Sequence, residues 1–365
     1  SMASDYSDFE RSLLFTGTFV FSIAALIVYG YACSRIRLST LLPWVYAFFG
    51  LNILGFYFAF SAAPDNLTIS TVFFIWTSVF NLFVVSVFWS FMADIWSKEQ
   101  SKRLFGFIAG GASVGAIAGP SITLLLVEPL GSTNLMLVSA TLTAIPIIFI
   151  RMLIGHRRRQ GRDAGTPAVN GFEQTIGGNP FAGITLFFQN RYLFGIGMFI
   201  VIYSFMNTLI WFQLADMLEP MDRDARVRIW SLIDWFVNVL ALGTQAFATS
   251  RLATRFGLGI TLALIPVLMI GGLLVVAITP ILSVLVGLQI LRRAGNYAIT
   301  KPGRDMLFTI LDPESKYKVK SVIDTVVYRG GDAGSAWAIT GLKEIFNLGI
   351  SGVAVVGAGL AAVWA

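Results

Sequence analysis

The run "YLFGIGMFIVIYSFMNTLIWFQLADM", residues 192–217, decides the fold class, because it is continuously apolar and long enough to cross a bilayer as a helix. Comparable runs recur through the 365 residues, of which 56% are hydrophobic and 13% are charged. Soluble domains carry about 25% charged residues, so a soluble core would not hide this much apolar surface. The sequence therefore predicts an all-α polytopic membrane protein surrounded by membrane lipid.

Eleven transmembrane helices are predicted from such runs. They lie at residues 11–32, 41–62, 70–93, 104–127, 133–153, 192–217, 229–250, 256–278, 281–300, 321–341 and 346–365. Basic loops, such as 33–40, 97–105 and 155–163, alternate with loops that are not basic. Because positive charge collects in the cytoplasmic loops of membrane proteins, the alternation places the chain N-terminus outside and Ala365 in the cytoplasm.

The composition argues against several other classes of protein. The net charge of +6 is explained by the basic loops, so no nucleic-acid partner is expected. The single Cys33 and the single His156 argue against an internal disulfide and a histidine-based metal site. The sequence has no Walker A pattern of an ATP-driven pump and no nucleophile–base constellation of an enzyme. We therefore expect no enzymatic activity, no metal and no cofactor.

The longest loop divides the spans five to six. The predicted parts are an N-terminal helical bundle at 1–153, a cytoplasmic linker at 154–191 with a short interfacial helix at 179–190, and a C-terminal six-helix bundle at 192–365. Transporters built from two six-helix halves are common. An uneven division therefore needs an explanation.

Weak repetition between the two halves offers one. "GGASVGA" at 110–116 corresponds to "GGDAGSA" at 330–336, each early in the span after a lysine-bearing loop. The basic loop and span at 34–55 likewise correspond to those at 254–272. If these pairs match, the first span here is the second helix of a six-helix half. We then expect the first of twelve helices to be missing from this chain.

Three charges fall inside the span at 321–341. Asp324, Tyr328 and Asp332 are spaced four residues apart and are expected to share a helix face, and Arg329 can reach Asp332 at i+3. A charge at the bilayer centre costs about 2.5–3.5 kcal/mol, so these groups should face the bundle interior or a water-filled cavity. Asp324 and Asp332 are thus candidate proton sites or charge-pair partners.

The preceding span brings two arginines near the membrane midplane. The guanidinium fork of arginine matches phosphate or carboxylate, so these arginines are candidate ligands of an anionic substrate. With the polar residues expected near them, the predicted substrate-binding residues are Arg292, Arg293, Asn296, Arg329, Asn207 and Tyr328. The alternative is structural: Arg292 or Arg293 pairs with Asp324 or Asp332 and holds the bundle together. Asp234, near the outer end of its span, is either an outer gate or a charge that reaches the membrane surface.

Charges at the inner membrane surface form a candidate cytoplasmic gate. Its members are Asp94, Lys102, Arg103, Arg304, Asp305, Lys318 and Lys320. Carboxylates at span ends that face basic loops can form ion pairs that break when two halves of a transporter move. The alternative is that these are ordinary helix-end charges beside positive loops.

Two stretches of the sequence resemble a known family. They are "FWSFMADIWSKEQSKRLFGFIAGGASVG" (88–115) and "NYAITKPGRDMLFTILDPESKYKVKSVIDTVVYRGGDAGS" (296–335). Both resemble the ATP:ADP antiporter family of nucleotide transporters, which is itself similar to the major facilitator superfamily. The resemblance implies a major-facilitator-like two-bundle transporter of twelve helices, a divergent bacterial member in the inner (plasma) membrane. The nucleotide exchangers of that family carry a glutamate near Ile210 and a lysine at Asp332, where this chain differs.

The resemblance and the buried charges together predict a secondary active transporter that works by alternating access. Its cargo is expected to be a small anionic or phosphorylated solute, such as the nucleotides ATP or ADP. One alternative is a proton-coupled exporter of another metabolite or an amphiphile, with the proton on Asp324 or Asp332. Another is a membrane scaffold or sensor that does not transport.

Overall fold

The apolar runs form helices. In the computed structural model, which describes residues 6–35, 38–95, 98–163, 187–247, 249–307 and 322–365, all regular structure is helical. The helices are α1 (Asp8–Arg35), α2 (Leu38–Ala62), α3 (Leu67–Ile95), α4 (Lys98–Asp163), α5 (Arg191–Leu218), α6 (Arg223–Phe247), α7 (Thr249–Ile278), α8 (Leu282–Gly295), α9 (Lys301–Leu307), α10 (Tyr328–Glu344) and α11 (Ile350–Trp364). The all-α prediction is confirmed.

One glycine explains why α4 is much longer than a single span. Gly131 has φ 75° and ψ 159°, a conformation that side chains with a Cβ rarely adopt and that breaks the helix direction. The predicted spans 104–127 and 133–153 are therefore the two arms of α4. Each of the eleven predicted spans overlaps a helix or one arm of α4. The predicted interfacial helix at 179–190 lies mostly outside the described residues.

Five stretches are long and apolar enough to cross a membrane, judged by length and composition over the described residues. They are Pro43–Ala62, Gly110–Leu153, Arg191–Leu218, Arg223–Phe247 and Thr254–Ile278. The described apolar part of α3, Leu67–Asn81, and the helix Ile350–Trp364 are apolar but shorter. The helices α8 and α10, which are not among the five stretches, hold the predicted site residues Arg292, Arg293, Tyr328, Arg329 and Asp332.

Two helices are extended by a π-helical turn. Asn296–Thr300 continues α8 into α9, and Ile323–Val327 leads directly into α10. A π turn takes one residue more per turn than an α turn, so side chains before and after it point in different directions than an unbroken α-helix would give. The predicted span at 321–341 is therefore not one regular α-helix, because it begins with this π turn.

The structure separates into two compact units. The larger comprises Ser1–Phe19, Ser113–Leu124 and Asn179–Ala365, and the smaller comprises Val20–Ala112 and Leu125–Gly178. The first part of α1 thus belongs with the C-terminal helices. The division into bundles at 1–153 and 192–365 and a linker at 154–191 follows the family's repeat and stays a prediction.

The core of the larger unit is built around α5, α7 and α11. Small residues on α11 allow this close contact, since a Cβ placed on Gly357 would lie 2.8 Å from Leu209 and 3.2 Å from Leu273. Ala354 and Ala358 of α11 are buried on the same helix. Small residues let membrane helices approach closely where lipid supplies no hydrophobic driving force between them.

The contact between α7 and α8 provides a test of this packing. A Cβ on Gly295 would overlap the side chain of Ile265, whereas a Cβ on Gly287 of the same helix has open space. Overpacking costs about 1–3 kcal/mol, so Gly295→Ala should lower the thermal unfolding temperature in detergent. Gly287→Ala should leave it unchanged or raise it slightly, because alanine favours the helix. Equal effects of the two substitutions would contradict the packing described.

Candidate functional site

Arg292 is a fully buried cation in the core of the larger unit, with 0% of its surface exposed. Its Nη2 and Nε donate to Oε1 of Gln289 at 2.9 and 3.3 Å, and its Nη1 donates to the Tyr203 hydroxyl at 3.2 Å. The guanidinium also lies 5.7 Å from the centre of the Tyr203 ring. These partners are neutral. Among the described residues, no carboxylate lies at contact distance from the Arg292 guanidinium.

Asp332 is the buried carboxylate of α10, with 4% of its surface exposed. Its Oδ2 lies 3.9 Å from Nη1 of Arg329, a distance longer than a hydrogen bond. Its Oδ1 is buried and has no hydrogen-bond partner in the described part of the chain. Ser204 and Asn207 of α5 lie beside it. The predicted contact with Arg329 at i+3 is present, but it is a loose one.

Two tyrosines lie between these charges. The rings of Tyr203 and Tyr328 have centroids 6.1 Å apart, and the Tyr203 ring lies 5.9 Å from that of Trp364. The Ser204 hydroxyl donates to the Tyr328 carbonyl at 3.2 Å, which ties α5 to α10. We call Tyr203, Ser204, Asn207, Gln289, Arg292, Tyr328 and Asp332 the buried polar cluster.

Sequence reasoning found four members of this cluster and missed three. Arg292, Asn207, Tyr328 and Asp332 were predicted. Tyr203, Ser204 and Gln289 were not, although Gln289 precedes Arg292 by three residues and Tyr203 precedes Asn207 by four. That spacing, which places two side chains on one helix face, was the signal that could have revealed Gln289 and Tyr203.

The two adjacent arginines of α8 have different partners. Arg293 is 24% exposed and forms an ion pair with Asp234 of α6, with Nη1 and Oδ1 2.5 Å apart. Asp234 is thus the partner of Arg293. The structural alternative expected Arg292 or Arg293 to pair with Asp324 or Asp332. Neither arginine contacts either acid in the described part of the chain. Asn296 lies in the π turn after α8, where it is half-buried.

Asp324 differs from Asp332 in its exposure and its partner. Its side chain is exposed, and its Oδ1 accepts a hydrogen bond of 2.8 Å from Nη2 of Arg304. Asp324 itself lies in the π turn Ile323–Val327, near the beginning of the helical segment, whereas Asp332 lies in α10 and is buried. The two acids therefore have different partners and different exposure, and the expectation of one face holding Asp324, Tyr328 and Asp332 stays a prediction.

The predicted cytoplasmic gate is described only in part. Arg304 contacts Asp324, and its Nη2 lies 3.9 Å from Oδ1 of Asp305. Lys318 and Lys320 lie outside the described residues. Asp94 is in α3 and Lys102 and Arg103 are in α4, but their side chains lie outside the described part. The assignment of these residues to a gate stays a prediction.

Comparison with known proteins gives a family and a fold. Residues 1–302 match the sequence profile of the Major Facilitator Superfamily. The chain belongs to this superfamily. Membership and the helical structure confirm the major-facilitator-like fold, and they establish a multi-pass membrane protein of a transporter family.

Solved structures share the fold of this superfamily member at low identity. The nucleoside transporter NupG is 13% identical, with a TM-score of 0.65 over 99% of this chain and 89% of that chain. A bacterial homologue of the human lysosomal transporter Spinster, in an inward-facing and unoccupied conformation, is 13% identical, with a TM-score of 0.59 over 99% of this chain and 84% of that chain. No curated protein sequence matches the chain. At these identities the likeness shows the fold alone.

A second buried charge cluster in this superfamily member was missed entirely by sequence reasoning. Arg11 of α1, 2% exposed, forms ion pairs with Asp8, at 3.1 Å, and with Asp216 of α5. Lys343 of α10 lies 2.7 Å from Asp8 and 2.6 Å from Asp216. We call these four residues the α1 network. The only local signal was the i, i+3 spacing of Asp8 and Arg11, because the other two residues are distant in sequence.

Proposed function

We propose that this chain is a secondary active transporter that binds a small anionic solute at Arg292. The observation that supports this proposal is a fully buried guanidinium whose hydrogen-bond partners are neutral. A cation in the membrane interior is costly and usually marks a pathway for a solute or ion. A carboxylate or phosphate that replaces Gln289 and Tyr203 at the guanidinium would form two parallel charge-assisted hydrogen bonds.

The proposed cycle is alternating access. The solute enters from one side of the membrane, neutralises Arg292 and contacts Asn207 and Tyr328. The site then opens to the other side. Asn296 and Arg329 are proposed to line the path, Arg293 with Asp234 to stabilise α8 against α6, and the cytoplasmic charges to close the inner end. Movement is driven by the gradient of the solute or of a counter-solute.

A phosphorylated solute such as a nucleotide is the finer proposal. The resemblance of residues 88–115 and 296–335 to the ATP:ADP antiporter family supports it. The fold neighbour NupG is a nucleoside transporter, so nucleosides form the second arm of the test. We also propose the bacterial inner membrane as the location, with the N-terminus outside and Ala365 in the cytoplasm.

Uptake into proteoliposomes tests this proposal. Vesicles are loaded with ATP, ADP, inorganic phosphate, uridine or buffer, and uptake of labelled ADP or uridine is measured. Uptake of ADP that requires an internal anion supports exchange of phosphorylated solutes. Uptake of uridine without uptake of ADP would overturn the anionic cargo, and no uptake of either by folded protein would overturn both.

Asp332 favours a second candidate function, transport coupled to protons. Its carboxylate is buried and Oδ1 has no partner over the described residues, so binding a proton would remove a buried charge. The charged and titratable groups near it are Arg329 on its own helix, Arg292 of α8, and the tyrosines Tyr203 and Tyr328. This candidate retains the fold and the path but changes the driving force.

Asp332→Asn tests the coupling. If the proton binds here, a pH gradient should drive accumulation of the carried solute in the wild type and not in the variant, which should still exchange solute down its gradient. Asp65→Asn, an exposed acid between α2 and α3, is the control. A variant that accumulates solute like the wild type would exclude Asp332, and loss of coupling in Asp324→Asn instead would move the proton site there.

A further inference from the structure

Three helix ends meet at the α1 network. Asp8 and Arg11 lie at the beginning of α1, Asp216 lies in the last turn of α5, and Lys343 lies in the last turn of α10. Each acid contacts both bases, so the four charges cancel within the cluster. Asp216 sits at the negative end of the α5 dipole, an unfavourable place for a carboxylate that the two cations make favourable.

Further side chains link the beginning of α1 to α5 and α10 beside the network. The hydroxyls of Ser12 and Thr340 are 2.7 Å apart and buried, and Thr340 also donates to the Asp8 carbonyl at 3.0 Å. Below them, Trp337 donates to Thr16 at 3.0 Å, and the rings of Phe15 and Trp211 meet at 5.2 Å. These contacts hold the beginning of α1 against α5 and α10.

The network is connected to the buried polar cluster through two rigid helices. From Asn207 to Asp216 along α5, and from Asp332 to Lys343 along α10, the axial rise is roughly 13–17 Å at 1.5 Å per residue. Both helices run from the cluster to the network. A change in the position of either helix at the cluster is therefore transmitted to the charges at its end.

We propose that the α1 network is a gate that closes the route between the buried polar cluster and the membrane face at which α1 begins. This rests on the proposed transport function. The gate opens when the start of α1 leaves the ends of α5 and α10. Ion pairs suit this role because Asp8, Asp216 and Lys343 are 16–24% exposed, and water can hydrate them once they separate. The closed and open states then differ little in free energy. An apolar contact in this place would instead expose apolar surface to water on opening, and no favourable hydration would offset that cost.

Thiol labelling tests the gate without knowledge of the solute. In a Cys33→Ser background, Asn207→Cys reports access to the cluster, and exposed Ser7→Cys identifies the membrane face at which α1 begins. A membrane-impermeant maleimide is applied from each face in turn. With the network intact, labelling of the Asn207→Cys protein from the α1 face should be slow. Adding Arg11→Ala and Lys343→Ala should accelerate it tenfold or more from that face only. Unchanged labelling, or equal acceleration from both faces, would overturn the gate.

A cross-link that keeps all four charges provides the second measurement. In the same background, Ser12→Cys with Thr340→Cys places two thiols where hydroxyls are now 2.7 Å apart. Oxidation should stop counterflow of the solute that the unlinked protein carries, and reduction should restore it, while each single-cysteine variant is unaffected by oxidation. Undiminished counterflow in the cross-linked protein would overturn the gate. Absence of labelled ADP or uridine uptake would challenge only the proposed cargo, since the labelling result needs no transport.

Discussion

Arg292→Met is expected to reduce transport of an anionic solute by at least thirtyfold while the protein still folds. Truncating one partner of a buried, hydrogen-bonded charge pair costs about 2–5 kcal/mol, roughly thirty- to several-thousandfold in affinity. Methionine has a similar length and fills the volume that the arginine occupies between Gln289 and Tyr203. The measurement is the initial rate of counterflow, with the folded fraction checked by size-exclusion chromatography.

Two companion variants make the result specific to the guanidinium at this position. Arg292→Lys keeps the charge but loses the planar fork, so its rate should lie between those of the wild type and Arg292→Met. Arg255→Met removes an exposed arginine from α7 and should transport at the wild-type rate. Wild-type counterflow by folded Arg292→Met protein would show that the arginine has only a structural role.

Arg11→Met is expected to be the most destabilising single change at a charged residue in the larger unit. Removing one partner from a fully buried ion pair costs about 3–5 kcal/mol, and the loss here should lie below that range because Asp8 and Asp216 are partly exposed. Here Asp8 and Asp216 would share only Lys343. Chemical or thermal unfolding in detergent should show the loss, and Arg255→Met, on an exposed surface, should change stability by about 0–1 kcal/mol.

A compensating variant separates lost charge balance from lost packing. Arg11→Met combined with Asp216→Leu leaves one acid, Asp8, paired with one base, Lys343. The double variant should therefore be more stable than Arg11→Met alone. If the double variant is as unstable as the single one or worse, the charges of the α1 network do not govern stability.

The helices could be predicted because they follow from local composition, whereas the major-facilitator-like fold was implied by the family resemblance of residues 88–115 and 296–335. A run such as 192–217 is apolar along its whole length, and the bilayer requires such a segment to be helical. Arg292 and Asp332 could also be predicted as site residues, because a charge inside an apolar span is costly unless it faces the bundle interior or a water-filled cavity. The break within α4 was implied by the two predicted spans on either side of Gly131.

The pairing of charges was not accessible in the same way. Which acid contacts which arginine depends on how the helices are packed, and no residue near Asp324 indicates in the sequence that its partner is Arg304. Arg293 and Arg292 are adjacent and identical, yet one faces Asp234 and the other Gln289. The α1 network could not be predicted because its members are far apart in the sequence. Nothing near Arg11 indicates that it contacts a carboxylate about two hundred residues further along the chain.

That distance has a consequence for how the protein is made. Asp8 and Thr340, joined by a hydrogen bond, are 332 residues apart, and synthesis at about 5–20 residues per second separates their appearance by roughly 15–65 s. Throughout that interval the beginning of α1 is already synthesised, but Arg11 lacks Asp216 until residue 216 is made, and the two acids lack Lys343 until residue 343 is made. The beginning of α1 is thus held in place only late in synthesis. A chain that ends between residues 216 and 343 has two acids but only one base in this network.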